Sequence, residues 1–138
     1  MFPDSDKFVD TTEIRDSAEN LISTTADMNR FYRALLGGKL LRPAELHQMQ
    51  QTVSIPEEME VLWPGGRYGL GLVERPLPCG GTYWSHGGGD AGYITSDGVS
   101  ADGQRSVVVS QTTARPETMV EPEARASTLV SHVLCDGR

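Results

Sequence analysis

The sequence predicts an α/β domain of the α+β kind, an antiparallel sheet of about four strands with helices packed on it. Three observations predict it. Apolar residues recur at helical spacing over residues 22–50, switch to period 2 between residues 67 and 112, and return to helical spacing before residue 135. Glycine, proline and Asp-Gly punctuation separates those stretches. The strands follow one another without intervening helical segments, which favours antiparallel pairing.

The elements can be justified in order. Residues 1–20 are polar and aperiodic and read as a loose acidic leader, with residues 21–138 as the folded portion. In "ISTTADMNRFYRALLGG", Ser23 or Thr24 caps a helix, Asp27 sits in its first turn, and Gly37-Gly38 ends it. Met28, Phe31 and Leu35 are its expected inward face. "RPAELHQMQQT" is a shorter helix with Pro43 at its first position and Leu46 and Met49 inward. A polar loop from Val53 to Arg67 follows. "RYGLGLVERPL" reads as a strand with Tyr68, Leu70 and Leu72 on one face, and "GTYWSH" as another. "GYITSDGVSADGQRSVVVSQTT" reads as a hairpin turning at Asp102-Gly103. "PETMVEPEARASTLVSHVLC" is the closing helix, with Pro122 in its first turn and Ala126, Leu129, Val130 and Val133 as its apolar stripe.

Composition excludes several classes. The 138 residues suit one domain, with 38% hydrophobic and 22% charged residues, an ordinary soluble balance. The net charge is −7, and the first 19 residues hold six acids and two bases. No basic patch exists to neutralise phosphate, so neither nucleic acid nor an anionic membrane is an expected partner. No apolar run approaches the ~20 residues of a membrane span, and "MFPDSDKFVD" is not a secretory signal. The chain expressed as it stands is therefore expected in the cytoplasm. The two cysteines, Cys79 and Cys135, read as buried thiols or as a disulfide, the latter needing an oxidising compartment.

The stretch "TYWSHGGGDAGY" concentrates the candidate chemistry. Gly87, Gly89 and Gly92 fit the dinucleotide-binding glycine pattern, but that fold requires a helix next, and "GYITSDGV" follows instead. His86-Gly87-Gly88-Gly89 also fits the oxyanion loop of lipase-like hydrolases. The required nucleophile elbow is missing, the nearest match being "GVSAD" at residues 98–102. A metal site fails because His47, His86 and His132 are far apart and no cofactor is expected. A strand ending in His-Gly-Gly-Gly exposes backbone N–H groups that can pair with a substrate backbone or serve as an oxyanion donor. By spacing alone, a glycine-rich bend at a close helix–sheet contact is the simpler reading.

The stretch from "YGLGLVERPLPCGG" through "SVVVSQTT" resembles the C-terminal part of the serine β-lactamase and D-alanyl-D-alanine carboxypeptidase family, closest to the class C type and related esterases. "ISTTADMNRFYRALLGGKLL" resembles the helix that precedes it there, and the resemblance spans about residues 13 to 135. It implies a partial β-lactamase/transpeptidase-like fold. It places His86-Gly87-Gly88 on the family's active-site strand motif, with His86 supporting a proton relay and the Gly89 N–H as half of the oxyanion hole. Gly87 and Gly88 then line the substrate, and Arg75 is a candidate partner for a substrate carboxylate. Gly87 stands where the family usually has threonine, which shifts the expectation from carboxylate-ended peptides towards esters. The resemblance also implies a secreted family and a Cys79–Cys135 disulfide.

The chain departs from the family in one decisive way. Lysine occurs only at Lys7 and Lys39, preceded three residues earlier by Asp4 and Leu36, so there is no Ser-x-x-Lys nucleophile. No tyrosine is followed two residues later by asparagine. The chain is thus expected to be a hydrolase fragment inactive by itself, a stand-alone peptide- or partner-binding module, or one half of a split enzyme. With the family's neighbouring strands missing, Val107–Gln111 is expected to be an open edge that takes the N-terminal half or a second copy of the chain.

Overall fold

The structure, a computed structural model, describes residues 23–90, 92–112 and 120–136. The acidic leader and the first residues of the closing helical stretch lie outside the described residues. Helix α1 spans Thr25–Leu36, with Thr24 as its cap, its hydroxyl accepting from the Asp27 N–H at 3.1 Å. Helix α2 spans Pro43–Met49. Strands β1 (Val53–Ser54), β2 (Arg67–Tyr68), β3 (Val73–Pro76) and β4 (Thr82–Ser85) follow. Then come β5 (Gly88–Asp90), β6 (Tyr93–Ser100), β7 (Ser106–Thr112) and helix α3 (Val120–Cys135).

Among the described residues seven strands form one antiparallel sheet, three more than the expected four. The additional strands are short. β1 and β2 are two-residue pairings inside and at the end of the supposed polar loop, and β5 continues β4 after a break. β4 pairs with the C-terminal part of β6 (Trp84 opposite Val99), and β5 pairs with its N-terminal part in the same register (Gly88 opposite Thr95). The ladder lapses opposite Ser96–Gly98. β7 runs along the whole other side of β6.

Helices cover both faces. Trp84, Val99 and Leu72 pack against Tyr32, Leu35 and Leu36 of α1, with Leu46, Met49 and Val108 around them. Tyr83 and Leu77 pack against Val130 and Leu134 of α3, with Val107 and Val109 beside them. Consecutive residues on β4 and β7 thus serve opposite cores, as the period-2 pleat requires. Gly98 is needed at the α3 contact, since a Cβ there would sit 2.4 Å from Val130 Cγ1.

Three expectations about inward faces are corrected. Phe31 is 46% exposed, and its neighbour Tyr32 takes the buried position. Tyr68, Leu70 and Leu72 do not share a strand face. The chain turns at Gly69–Gly71, with Gly71 at φ 74, and the Leu70 N–H donates to the Met49 carbonyl at 2.9 Å. Leu70 is therefore 65% exposed while Leu72 is buried. On α3, Leu134 is buried, whereas Leu129 and Val133 face outward, so the stripe runs Ala126, Val130, Leu134. Asp102-Gly103 does turn the β6–β7 hairpin, with Gly103 at φ 69.

Cys79, in the turn between β3 and β4, is disulfide-bonded to Cys135, the last residue of α3, with Cα atoms 5.9 Å apart.

Candidate active site

His86 leaves the end of β4 where pairing with β6 lapses. Its imidazole is exposed and shares a 3.2 Å hydrogen bond between Nε2 and the Tyr68 hydroxyl. Trp63 completes a ring cluster, its centroid 6.1 Å from His86 and 6.2 Å from Tyr68. Tyr68 reaches this point because β2 pairs with β3, and β3 with β4, placing Tyr68 opposite Val73 and Val73 opposite Ser85.

The glycines beyond His86 present bare backbone. Gly88 and Gly89 are exposed, and a side chain at Gly88 would meet nothing within 4 Å. Gly87 differs: a Cβ there would lie 2.7 Å from the Thr95 carbonyl oxygen. The strand lies too close to β6 for any side chain at 87, which gives a steric reason for glycine in place of threonine. The arrangement can offer backbone donors to an extended ligand along Gly88–Gly89, with the His86 imidazole beside them.

Behind this strand lie two buried polar groups that the sequence did not disclose. Asp97, 3% exposed, accepts the His86 N–H on Oδ1 at 2.7 Å and the Tyr32 hydroxyl on Oδ2 at 3.0 Å. The Tyr32 hydroxyl also lies 3.3 Å from the His86 carbonyl oxygen. Burial pushes the Asp97 carboxyl up to about 7, against the lowering effect of the His86 N–H and Tyr32 hydroxyl. Burial raises the Tyr32 phenol as well, and the Asp97 charge raises it further. The signal in the sequence was an acid inside an otherwise apolar and small-residue strand, "YITSDGVS".

Arg75 is not gathered with His86. It is buried against α3, its Nη1 3.3 Å from Glu123 Oε1 and 3.0 Å from the Ser127 hydroxyl, with its Cζ 5.6 Å from the Tyr83 ring centroid. Glu123 also accepts from the Ser96 hydroxyl at 2.5 Å. A cleft of about 640 Å³ between Val61–Pro64 and α3 has Arg75 and both cysteines in its walls, but none of the residues His86–Gly89. Among the described residues no three His, Cys, Asp or Glu side chains gather as a metal site requires, and no helix is long and apolar enough to cross a membrane.

The family model named Beta-lactamase matches residues 2–131, nearly the whole chain. The chain belongs to the beta-lactamase family. Among solved structures, it is similar to a D-stereospecific amidohydrolase from Streptomyces sp., at 40% sequence identity and a TM-score of 0.58. That similarity covers 65% of this chain and 25% of the amidohydrolase, so the chain spans about a quarter of that relative's length. Membership in the beta-lactamase family and the α+β sheet with helices on both faces agree with the resemblance read from the His-Gly-Gly stretch.

Proposed function

We propose that this chain supplies the substrate-lining strand of a beta-lactamase-family serine hydrolase that cleaves amide or ester bonds. The bare Gly88–Gly89 backbone beside the His86–Tyr68–Trp63 cluster carries this reading. Gly89 N–H stabilises the developing oxyanion, Gly87 and Gly88 border the substrate backbone, and His86 with Tyr68 supports proton transfer. The Ser-x-x-Lys nucleophile is contributed by sequence outside these 138 residues. The amidohydrolase similarity favours D-configured amides as the first substrates to try.

The purified chain alone is expected to form no covalent adduct with a fluorescent penicillin or a fluorophosphonate. Joined to a family segment carrying Ser-x-x-Lys, it is expected to label stoichiometrically on that serine. A mass shift on a serine of the isolated chain would overturn the assignment. So would a joined protein that neither labels nor hydrolyses a D-amino-acid amide.

The partner surface on this reading is β7. Among the described residues its outer edge pairs with no strand, while Val107 and Val109 serve one core and Val108 the other. An open edge with few charges is a template for pairing. In isolation the chain is expected to self-associate through Val107–Gln111, and light scattering on dilute protein measures this. A stable monomer whose amides at 107–111 exchange quickly would reject the edge as the docking surface.

A further inference from the structure

We propose that Asp97 and Tyr32 are positioning residues that clamp both backbone groups of His86 and shift that clamp when Asp97 gains or loses a proton. The proposal rests on the hydrolase reading for its functional meaning, but its geometry stands independently. At the lapse in the ladder, Asp97 Oδ1 takes the His86 N–H at 2.7 Å in place of a strand partner. The Tyr32 hydroxyl stands between two acceptors, Asp97 Oδ2 at 3.0 Å and the His86 carbonyl at 3.3 Å. It has one hydrogen to give.

With Asp97 ionised, that hydrogen goes to Oδ2, because a hydrogen bond to a carboxylate is the stronger one. The His86 carbonyl is then held weakly. With Asp97 protonated on Oδ2, the carboxyl donates to the Tyr32 oxygen, and the Tyr32 hydrogen turns to the His86 carbonyl. The proton count balances: one proton enters from solvent onto Oδ2, and the tyrosine keeps its own. Residue 86 is thus gripped at its N–H alone in the ionised form, and in the neutral form also at its carbonyl, which belongs to the peptide between His86 and Gly87. That peptide leads directly into the glycine backbone proposed to border substrate.

The other groups facing Asp97 are compatible with such a change. Opposite it on β7 is Val108, which does not titrate. The charges of Glu123 on α3 and Arg75 on β3 act on it in opposite senses, and they are ion-paired to each other. Tyr83 on β4 also feels the Asp97 charge, and burial raises its own phenol, so it stays neutral where Asp97 titrates. Burial of Asp97 brings its titration to about 7, inside an accessible pH range.

The test is ¹³C and ¹⁵N NMR on the 138-residue chain in a His86→Gln background, which leaves a side chain of fixed charge at that position. The Asp97 carboxyl carbon and the residue 86 carbonyl carbon are expected to shift with one midpoint near 7. Asp97→Asn and Tyr32→Phe should each abolish the carbonyl shift, and both are close to isosteric, so the fold should survive. Asp97→Ala should speed exchange of the residue 86 amide roughly tenfold, the loss of one hydrogen bond. The clamp is overturned if Asp97 titrates while the residue 86 carbonyl stays fixed, or if the carbonyl shift persists in Tyr32→Phe. Failure of the hydrolase reading would leave these shifts in place, because none is measured through hydrolysis.

Discussion

Glu123→Ala is expected to destabilise the chain by about 3–5 kcal/mol, the cost of leaving a buried charge without its partner. Arg75 and Glu123 side chains are each 9% exposed and lie 3.3 Å apart, so removal of one leaves the other with little water to replace it. Ser96 and Ser127 also lose their acceptor, since both hydroxyls donate to the Glu123 carboxylate. The carboxylate sits directly behind the His86–Gly89 segment, 3.7 Å from where a Gly87 Cβ would be. The loss should therefore loosen β6 and the His86–Gly89 segment together. Urea unfolding measures the effect. An Arg75→Met, Glu123→Leu double variant should lose much less than the sum of the single variants, because apolar side chains of similar size need no partner. A Glu123→Ala variant that loses less than ~1 kcal/mol would show that water reaches Arg75 and that the pair is effectively a surface one.

The way these residues came together explains what could be read before the fold was known. Thr24, Pro43 and Asp102-Gly103 act on their own neighbours, so their roles as cap, first-turn residue and hairpin turn were legible. The alternation of Val107, Val108 and Val109 needed only the period of a strand. Phe31 and Tyr32 compete for one inward position, and helical spacing does not separate them. Tyr32 is buried because its hydroxyl finds Asp97, 65 residues away. Leu70 looked like a strand residue until the contact between the Leu70 N–H and the Met49 carbonyl turned the chain. The His86 stretch was legible as a candidate site through its resemblance to a family. Its surroundings, Tyr68, Trp63, Asp97 and Tyr32, come from four separate stretches, and only the sheet brings them to it. Arg75 seemed free to meet a substrate carboxylate because its partner lies 48 residues later, on a different element.

Opening the Cys79–Cys135 disulfide is expected to cost about 4 kcal/mol, since the bond closes a loop with a sequence separation of 56 residues. For a domain of this size that corresponds to a fall in Tm of roughly 10–20 °C. Reduction of the native chain and the Cys79→Ala, Cys135→Ala variant should agree, apart from the packing that the Cys135 sulfur contributes beside Val130 and Leu134. The disulfide and the Arg75–Glu123 pair hold opposite ends of α3, Glu123 in its first turn and Cys135 at its last residue. Twelve residues of helix separate them by about 18 Å, so their losses should add. Their sum, roughly 7–9 kcal/mol, falls inside the 5–15 kcal/mol that a whole domain normally commands. The reduced Glu123→Ala chain should accordingly show α3 detached or the chain unfolded, seen as lost helical signal in far-ultraviolet circular dichroism at 25 °C. Each single change should leave that signal largely intact. A reduced Glu123→Ala chain with native helix content and an unchanged midpoint would mean that α3 is held by Ala126, Val130 and Leu134 alone, and neither tie would then be needed to keep the His86–Gly89 segment backed.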